Sequence, residues 1–467
     1  MDVPLLEPLA RFTSDFHISD RPATSDERLF TTICDWSSAL LAGLGHPLYP
    51  SYLTALAPIS GEIGPANIVG QPHGYTIASA AAANAAISHF WEVDDAHRES
   101  TTHPGITVIP AVIALAQAFP EIPTSRVRSA IIVGYEAVLR IGSFLGSDHY
   151  AVCHTTATAG TFGAAAASAH LLDLDVDRTL WAFGHAGTQA QGLWQLLDDD
   201  ASEAKGFHAA VAVRNGISSA MMARAGIKGA TRILEGRRGM LAAWHLRNCD
   251  LDWLRPGDNR MIDTVTVKNW PTCGQMHSTL DCAVQIYEAG SYAVPDIISV
   301  NVEIPKACTD IADVQVPETL SAAKFSTSFC VAATLAGRKP DLQGLQPTLL
   351  ADTEVRNLAS RVSLTIDPGF SARFPRERPA RVTVTLADGN ILSAERAFRK
   401  GDPEAPWTRS DLIARTRDVL ALADRSLDVD TLIDWCDRFA DPKCSEWSPN
   451  QLFSLANLST PLHEAIS

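Results

Sequence analysis

The stretch CHTTATAGTFGAAAASAHLLDLD (residues 153–175) decides how this chain is read. Its Ala- and Gly-rich composition describes a helix whose small face lets neighbouring helices approach closely, which makes it a core helix. The helix begins at His154, Thr155 and Thr156, where free backbone N–H groups and the helix dipole favour an anion. A core helix needs helical neighbours, and the flanking sequence supplies them. In ERLFTTICDWSSALLAGL (27–44) and VIPAVIALAQAF (108–119) apolar residues recur at helical spacing, and the character persists from about Ser25 to Arg260.

After Asp263 the pattern changes. TVTVKNWP, IISVNVEIP, VSLTIDP and ARVTVTLADGNILSAERAF are β-rich, several alternate at period two, and Asp388-Gly389 is a hairpin signal. Helical stretches near 275–290 and 321–337 lie between them, and helix returns from Arg409 to about Phe439. The predicted class is mainly α. A large helical domain is built from residues 1–263 and 405–467, and a smaller α+β domain, 264–404, is inserted between them.

The chain has 467 residues, 46% hydrophobic and 19% charged, which suits a globular protein with two substantial cores. A formal net charge of -15 without a long Lys/Arg run argues against a nucleic-acid partner, so an anionic substrate needs a local cationic cluster. The N-terminus has early acids and no continuous apolar core, and no later window is an uninterrupted apolar span, the nearest being 157–172. A cytoplasmic protein outside the membrane is expected. Nine scattered cysteines without a CxxC pair suggest no disulfide framework, zinc site or iron–sulfur cluster, so no metal or cofactor is expected.

Four segments carry candidate chemistry. HFWEVDDAHRESTTHPG (89–105) gathers Glu92, Asp94, Asp95, His97, Arg98 and His103 ahead of Pro104-Gly105, which is expected to end any helix and make a loop. A solvated loop explains these residues as well as a pocket wall where acids set the tautomers of histidines. His154, at the mouth of the Gly/Ala helix, tends to be neutral and suited to act as base or donor, although a lone histidine is more often structural. Lys205 and His208 lie three apart and share a face if ASEAKGFHAAVAVRNG is helical; a solvated face is the plainer fate of a lysine. In TVTVKNWPTCGQMH, Lys268 is expected at a strand end and His277 at the start of a helix, a seat for a carboxylate, with Cys273 read as a plain buried thiol.

Together HFWEVDDAH…HPG, CHTTATAGTFGAAAASAHLLDLD, GHAGTQAQGLW, AKGFHAAVAVRNG, RILEGRRGM and VKNWPTCGQMH resemble, in order and spacing, the motifs of the MmgE/PrpD family, over about residues 25–400. The resemblance implies a helical domain from both chain ends, an α+β lid, a homodimer, and a cofactor-free site. The polar residues of decarboxylase members map onto Glu92, Ala96, His103, His154, Lys205, Lys268 and Phe329, of which His103, His154, Lys205 and Lys268 keep the residue type. Ala96 and Phe329 lack the hydroxyls of the family's Thr and Tyr, and Glu92 is longer than Asp. His97 and Arg98 are expected to supply replacement contacts.

The expected reaction begins with removal of a proton next to a carboxylate of a small di- or tricarboxylate. Lys205 and Lys268 hold carboxylates, His103 and His154 exchange protons, and Asp94 and Asp95 orient imidazoles. Loss of a β-hydroxyl makes the enzyme a hydro-lyase, the leading expectation. Return of the proton makes it an epimerase of an iminodisuccinate-like acid, and decarboxylation is a further outcome of the same residues. A catalytically inactive binding protein is the alternative of another class, which the losses at 96 and 329 favour and the four retained residues oppose.

Overall fold

In the computed structural model, the described residues are 3–17, 24–59, 61, 63–199, 201–258, 260–290, 292–423 and 425–458. They are mainly helical with small sheets, as the sequence patterns require. The chain divides into two compact units. The first comprises residues 1–196, 204–265 and 409–467, and the second 197–203 and 266–408.

The helices that matter for the site in the first unit are α1 (Thr24–Ala42), α2 (Ile77–His89), α3 (Gly105–Ala118), α4 (Thr124–Tyr150), α5 (Thr155–Leu171), α6 (Val176–Gly187) and α7 (Lys205–Arg224). Every residue of α5 is buried, so the Ala/Gly stretch is the central helix. A Cβ at Gly163 would lie 2.7 Å from Val138 Cβ of α4, and one at Gly216 of α7 would lie 2.5 Å from Ala164 Cβ. Only glycine permits these approaches. α4 is apolar and long enough to cross a bilayer, but 94% of its apolar window is buried inside the protein. It carries a buried Arg140–Glu136 pair at 2.6 Å, the mark of a core helix. This helix, rather than the 157–172 run, is the longest apolar segment among the described residues.

Two helices from the C-terminal part, α8 (Arg409–Leu420) and α9 (Val429–Ala440), belong to the same unit. Arg415 of α8 pairs with Asp35 of α1 at 2.9 Å and donates to the carbonyl of Val93 at 2.6 Å. Arg128 of α4 donates to the carbonyls of Phe439 and Asp441. Buried guanidiniums thus use their several donors to tie the last helices to backbone oxygens that would otherwise be unsatisfied.

The second unit holds a four-stranded sheet of β1 (Ile297–Ile304), β2 (Val362–Ile366), β3 (Ala380–Leu386) and β4 (Ile391–Arg396), ordered β2-β1-β3-β4. β1 and β2 are parallel and the other pairs antiparallel. β3 alternates buried and half-buried along ARVTVTL, and Gly389 turns it into β4 at φ +87°. Val300, Val302, Val382 and Val384 pack into a core with residues of the helices His277–Glu288 and Thr327–Leu335.

Two local expectations are corrected. TVTVKNWP is not a strand: Val265, Thr266, Val267 and Lys268 are all buried instead of alternating. Val267 N–H donates to Gly401 O at 3.2 Å, and Trp407 Nε1 donates to Val267 O at 3.1 Å. A segment enclosed on both sides by a loop mimics strand composition without strand geometry. Pro104-Gly105 does not end a helix but opens α3, with Pro104 as its N-cap. Proline suits that place because it needs no N–H partner.

Candidate active site

The acidic segment after α2 is not a solvated loop. Glu92, Asp94, Asp95, His97 and Arg98 are all buried. Glu92 (φ +58°) and Thr101 (φ +50°) adopt the left-handed region, which costs non-glycine residues energy and recurs at functional sites. His97 N–H donates to Thr102 O at 2.8 Å, closing the loop. His97 spends its ring on that loop and the wall behind it: Nδ1 lies 2.8 Å from Ser100 Oγ and Nε2 3.0 Å from Thr264 Oγ1. Arg98 pairs with the adjacent Glu99 at 3.0 Å. The expected roles of His97 and Arg98 as substitutes for lost hydroxyls thus compete with these loop contacts.

The bent backbone at Glu92 brings its carboxylate to Lys205, the first residue of α7, with Nζ to Oε1 at 2.6 Å. Lys205 is 4% exposed, so it is not on a solvated face. Three imidazoles gather beside this pair. His89, at the end of α2, stands 4.8 Å from His103 and 6.2 Å from His154, and His103 stands 6.1 Å from His154, between ring centroids. Asp94 bridges the first two: Oδ1 is 2.8 Å from His89 Nδ1 and Oδ2 is 3.1 Å from His103 Nδ1. His103 Nδ1 also lies 2.8 Å from the carbonyl oxygen of Asp95.

These contacts set tautomers. A carboxylate or carbonyl only accepts, so His89 and His103 each donate from Nδ1 in these contacts, which makes Nε2 of His103 the nitrogen that can take up a proton. His89 was not singled out in the sequence, because it ends an Ala-rich helix. Its spacing of three from Glu92 was the signal that could have found it, and its Nε2 lies 3.4 Å from Glu92 Oε1.

His154 is the N-cap of α5, and its ring stacks against Trp194 with centroids 4.5 Å apart. Its Nδ1 faces Nδ1 of His208, one turn into α7, at 3.1 Å. Burial first, and then the positive charge of Lys205, holds His154 well below the usual histidine range and His208 down to about 4. Two neutral rings sharing one Nδ1 proton make His154 an Nε2–H donor when His208 holds the shared proton, and a base when it does not. His154 Nε2 is buried with no hydrogen-bond partner among the described residues.

Asp95 is a neighbour of a different kind. Its Oδ1 accepts from Gly105 N–H at 2.9 Å and its Oδ2 from Tyr135 Oη–H at 2.6 Å. Burial, with the Asp35 charge nearby, pushes it up to about 8. It positions the start of α3 and the backbone oxygen that holds His103. The nitrogens of His89, His103 and His154 lie within 4.8 Å of one another, a spacing that a metal such as zinc could draw together.

The second unit places Lys268, His277 and Phe329. Lys268 is 1% exposed and lies close enough to His277 to depress it, after burial and Arg399. His277 opens its helix, and its Nε2 lies 3.2 Å from Thr272 O. Arg399 pairs with Asp402 at 2.8 Å and donates to Thr266 Oγ1 at 2.9 Å. Cys273 is buried and in no disulfide. Phe329 lies in the hydrophobic core of this unit, where a ring without a hydroxyl needs no hydrogen-bond partner.

Known proteins share this plan. The MmgE/PrpD N-terminal domain matches residues 7–250 and the MmgE/PrpD C-terminal domain residues 270–436. A cis-aconitate decarboxylase-like protein of Aspergillus oryzae is 25% identical over 426 residues, 85% of this chain and 86% of its own. Cis-aconitate decarboxylases of Aspergillus terreus (29% over 237 residues, 50% of this chain and 48% of its own) and Mus musculus (24% over 348, 71% and 70%) are also similar. The two domain matches take in every candidate position named above except Lys268, which falls between them, and on that span the chain belongs to the MmgE/PrpD family of enzymes.

Proposed function

We propose that the enzyme is a lyase acting on a small hydroxylated di- or tricarboxylate. It removes the proton next to a carboxylate and expels the β-hydroxyl as water. The observation that carries this reading is the cluster of three imidazoles, with Nδ1 engaged on each, beside the buried Lys205–Glu92 pair.

A C–H next to a carboxylate is weakly acidic because its conjugate base is a dianion, so the reaction needs a neutral base and nearby cations. His103 fits the base, since its Nδ1 proton is held by the Asp95 carbonyl and Nε2 accepts. His154 fits the acid that protonates the leaving hydroxyl from Nε2, and the proton that His103 took from carbon returns through solvent to the His154–His208 pair, which restores both base and acid after turnover. Lys205, a buried ammonium beside the cluster, is the cation that seats a substrate carboxylate. The chemistry uses side chains alone, with no bound metal. None of the nine cysteines is in a disulfide, which suits a cytoplasmic, reducing location, and we include the homodimer in the proposal.

A second reading, decarboxylation, is favoured by the names of the relatives. The two separate in heavy water with citrate homologues and unsaturated tricarboxylates as substrates. Dehydration yields an absorbing unsaturated acid without carbon dioxide, decarboxylation releases carbon dioxide and leaves solvent deuterium on carbon, and epimerisation washes deuterium into unchanged acid. No turnover or binding of any polycarboxylate would overturn the proposal in favour of another class of ligand.

A further inference from the structure

Beside the histidine cluster, within the first unit, lies a chamber of about 520 Å³ that the proton chemistry does not use. Its walls include Ala157, Leu193, Leu196, Phe207, Val211 and Trp244, and among the described residues none that line it is Asp, Glu, Lys or Arg. His208 lines it too, and burial, then Lys205, holds it down to about 4, so it is neutral near pH 7. Leu193 and Phe207 are 65% and 55% exposed, an apolar rim that the protein leaves in water.

The chamber is continuous with the reacting groups. His208 lines it and meets His154 Nδ1 at 3.1 Å, and Gly192 of the same wall accepts from the His154 backbone N–H at 2.7 Å. Glycine is required there: its φ is +128°, and a Cβ would lie 2.6 Å from Ala157 Cβ. An uncharged apolar space cannot hold the carboxylates that Lys205 would hold, and its volume suits a small-molecule group. A ligand anchored by carboxylates at Lys205 would meet this space next, past His154.

We propose that the chamber receives an apolar alkyl or aryl substituent of the substrate, so that the enzyme prefers substituted polycarboxylates to bare ones. The inference rests on the reading of the histidine cluster as the reacting centre. A substituent that contacts the wall equally before and during reaction lowers KM and leaves kcat nearly unchanged.

The test uses the full-length enzyme and citrates carrying methyl, butyl or hexyl chains on a methylene carbon. KM is expected to fall by about fourfold per added methylene until the chamber fills. Leu193→Asp, at an exposed rim position, and Val211→Trp, which fills the space, should each flatten the series, so that KM no longer falls from the methyl to the hexyl compound in variants that circular dichroism shows to be folded. A KM flat across the series, with turnover intact, overturns the chamber and leaves the lyase standing. Retained preference in Leu193→Asp, together with a lower oligomeric mass in solution, would also overturn it, by making this face a contact with a second copy. Absence of binding and turnover across the whole series overturns the functional reading and this inference with it.

Discussion

His103 is held by a backbone oxygen and a carboxylate, so its replacement by Ala should remove the base and little else. Turnover should fall by about a hundredfold to ten-thousandfold with KM nearly constant; steady-state kinetics on a protein folded by circular dichroism checks this, and unchanged turnover removes His103 from the mechanism. Lys205→Ala should behave otherwise, because it strands the Glu92 carboxylate in a buried place. Breaking such a pair costs about 3–5 kcal/mol, so both KM and the urea midpoint should suffer, and Glu92→Gln in the same background should recover part of the stability alone. Asp95 sets a pH dependence. Its proton is bound more tightly in the native state than in the unfolded chain, so its contribution to stability is full below pH 3.8 and is lost as pH rises through about 8. Asp95→Asn, which never ionises, should lack that decline between pH 5 and pH 8.5 in denaturant titrations. Much of this site was legible as residues: the dense acids and histidines of 92–103, His154 before a Gly/Ala helix, and Lys205 three positions from His208. Their pairings were not, because the Glu92–Lys205 bond spans 113 positions and depends on a left-handed bend at Glu92 that no local pattern announces.

Helix α5 was the most readable element, because a run of small side chains has few other uses. Its glycines make a sharp expectation. Gly163→Ala puts a methyl 2.7 Å from Val138 Cβ, and overpacking of this kind typically costs about 1–3 kcal/mol. A lowered melting temperature with unchanged kinetics at 20 °C checks it; an unshifted melting temperature would mean that α4 and α5 separate freely. The strands from 297 and 380 were equally plain, whereas 264–271 was misread, since burial on both sides erases the alternation that distinguishes a strand. His89 escaped for a similar reason, as the last residue of a helix whose apolar residues read only as core.

At the scale of the molecule, the two units each contribute a buried lysine, Lys205 in one and Lys268 in the other. Family resemblance gives Lys268 a substrate carboxylate, so Lys268→Ala should weaken KM and kcat/KM together, and an effect on melting alone would mark it as structural. Dialysis against a chelator should leave activity intact; loss of activity restored by zinc would assign the three imidazoles to a metal instead. The clasp between Arg415 and the Val93 carbonyl, 322 positions apart, also dictates a timetable. During synthesis at about 5–20 residues per second, the acidic loop emerges and waits roughly 15–60 s for the residue that fixes it. Through that interval the nascent chain makes the whole inserted unit while α1 to α7 lack their final partners, so the acidic loop is fixed only once α8 has been made. A chain released after residue 408 should therefore display a folded α+β unit and a helical half still open to proteases.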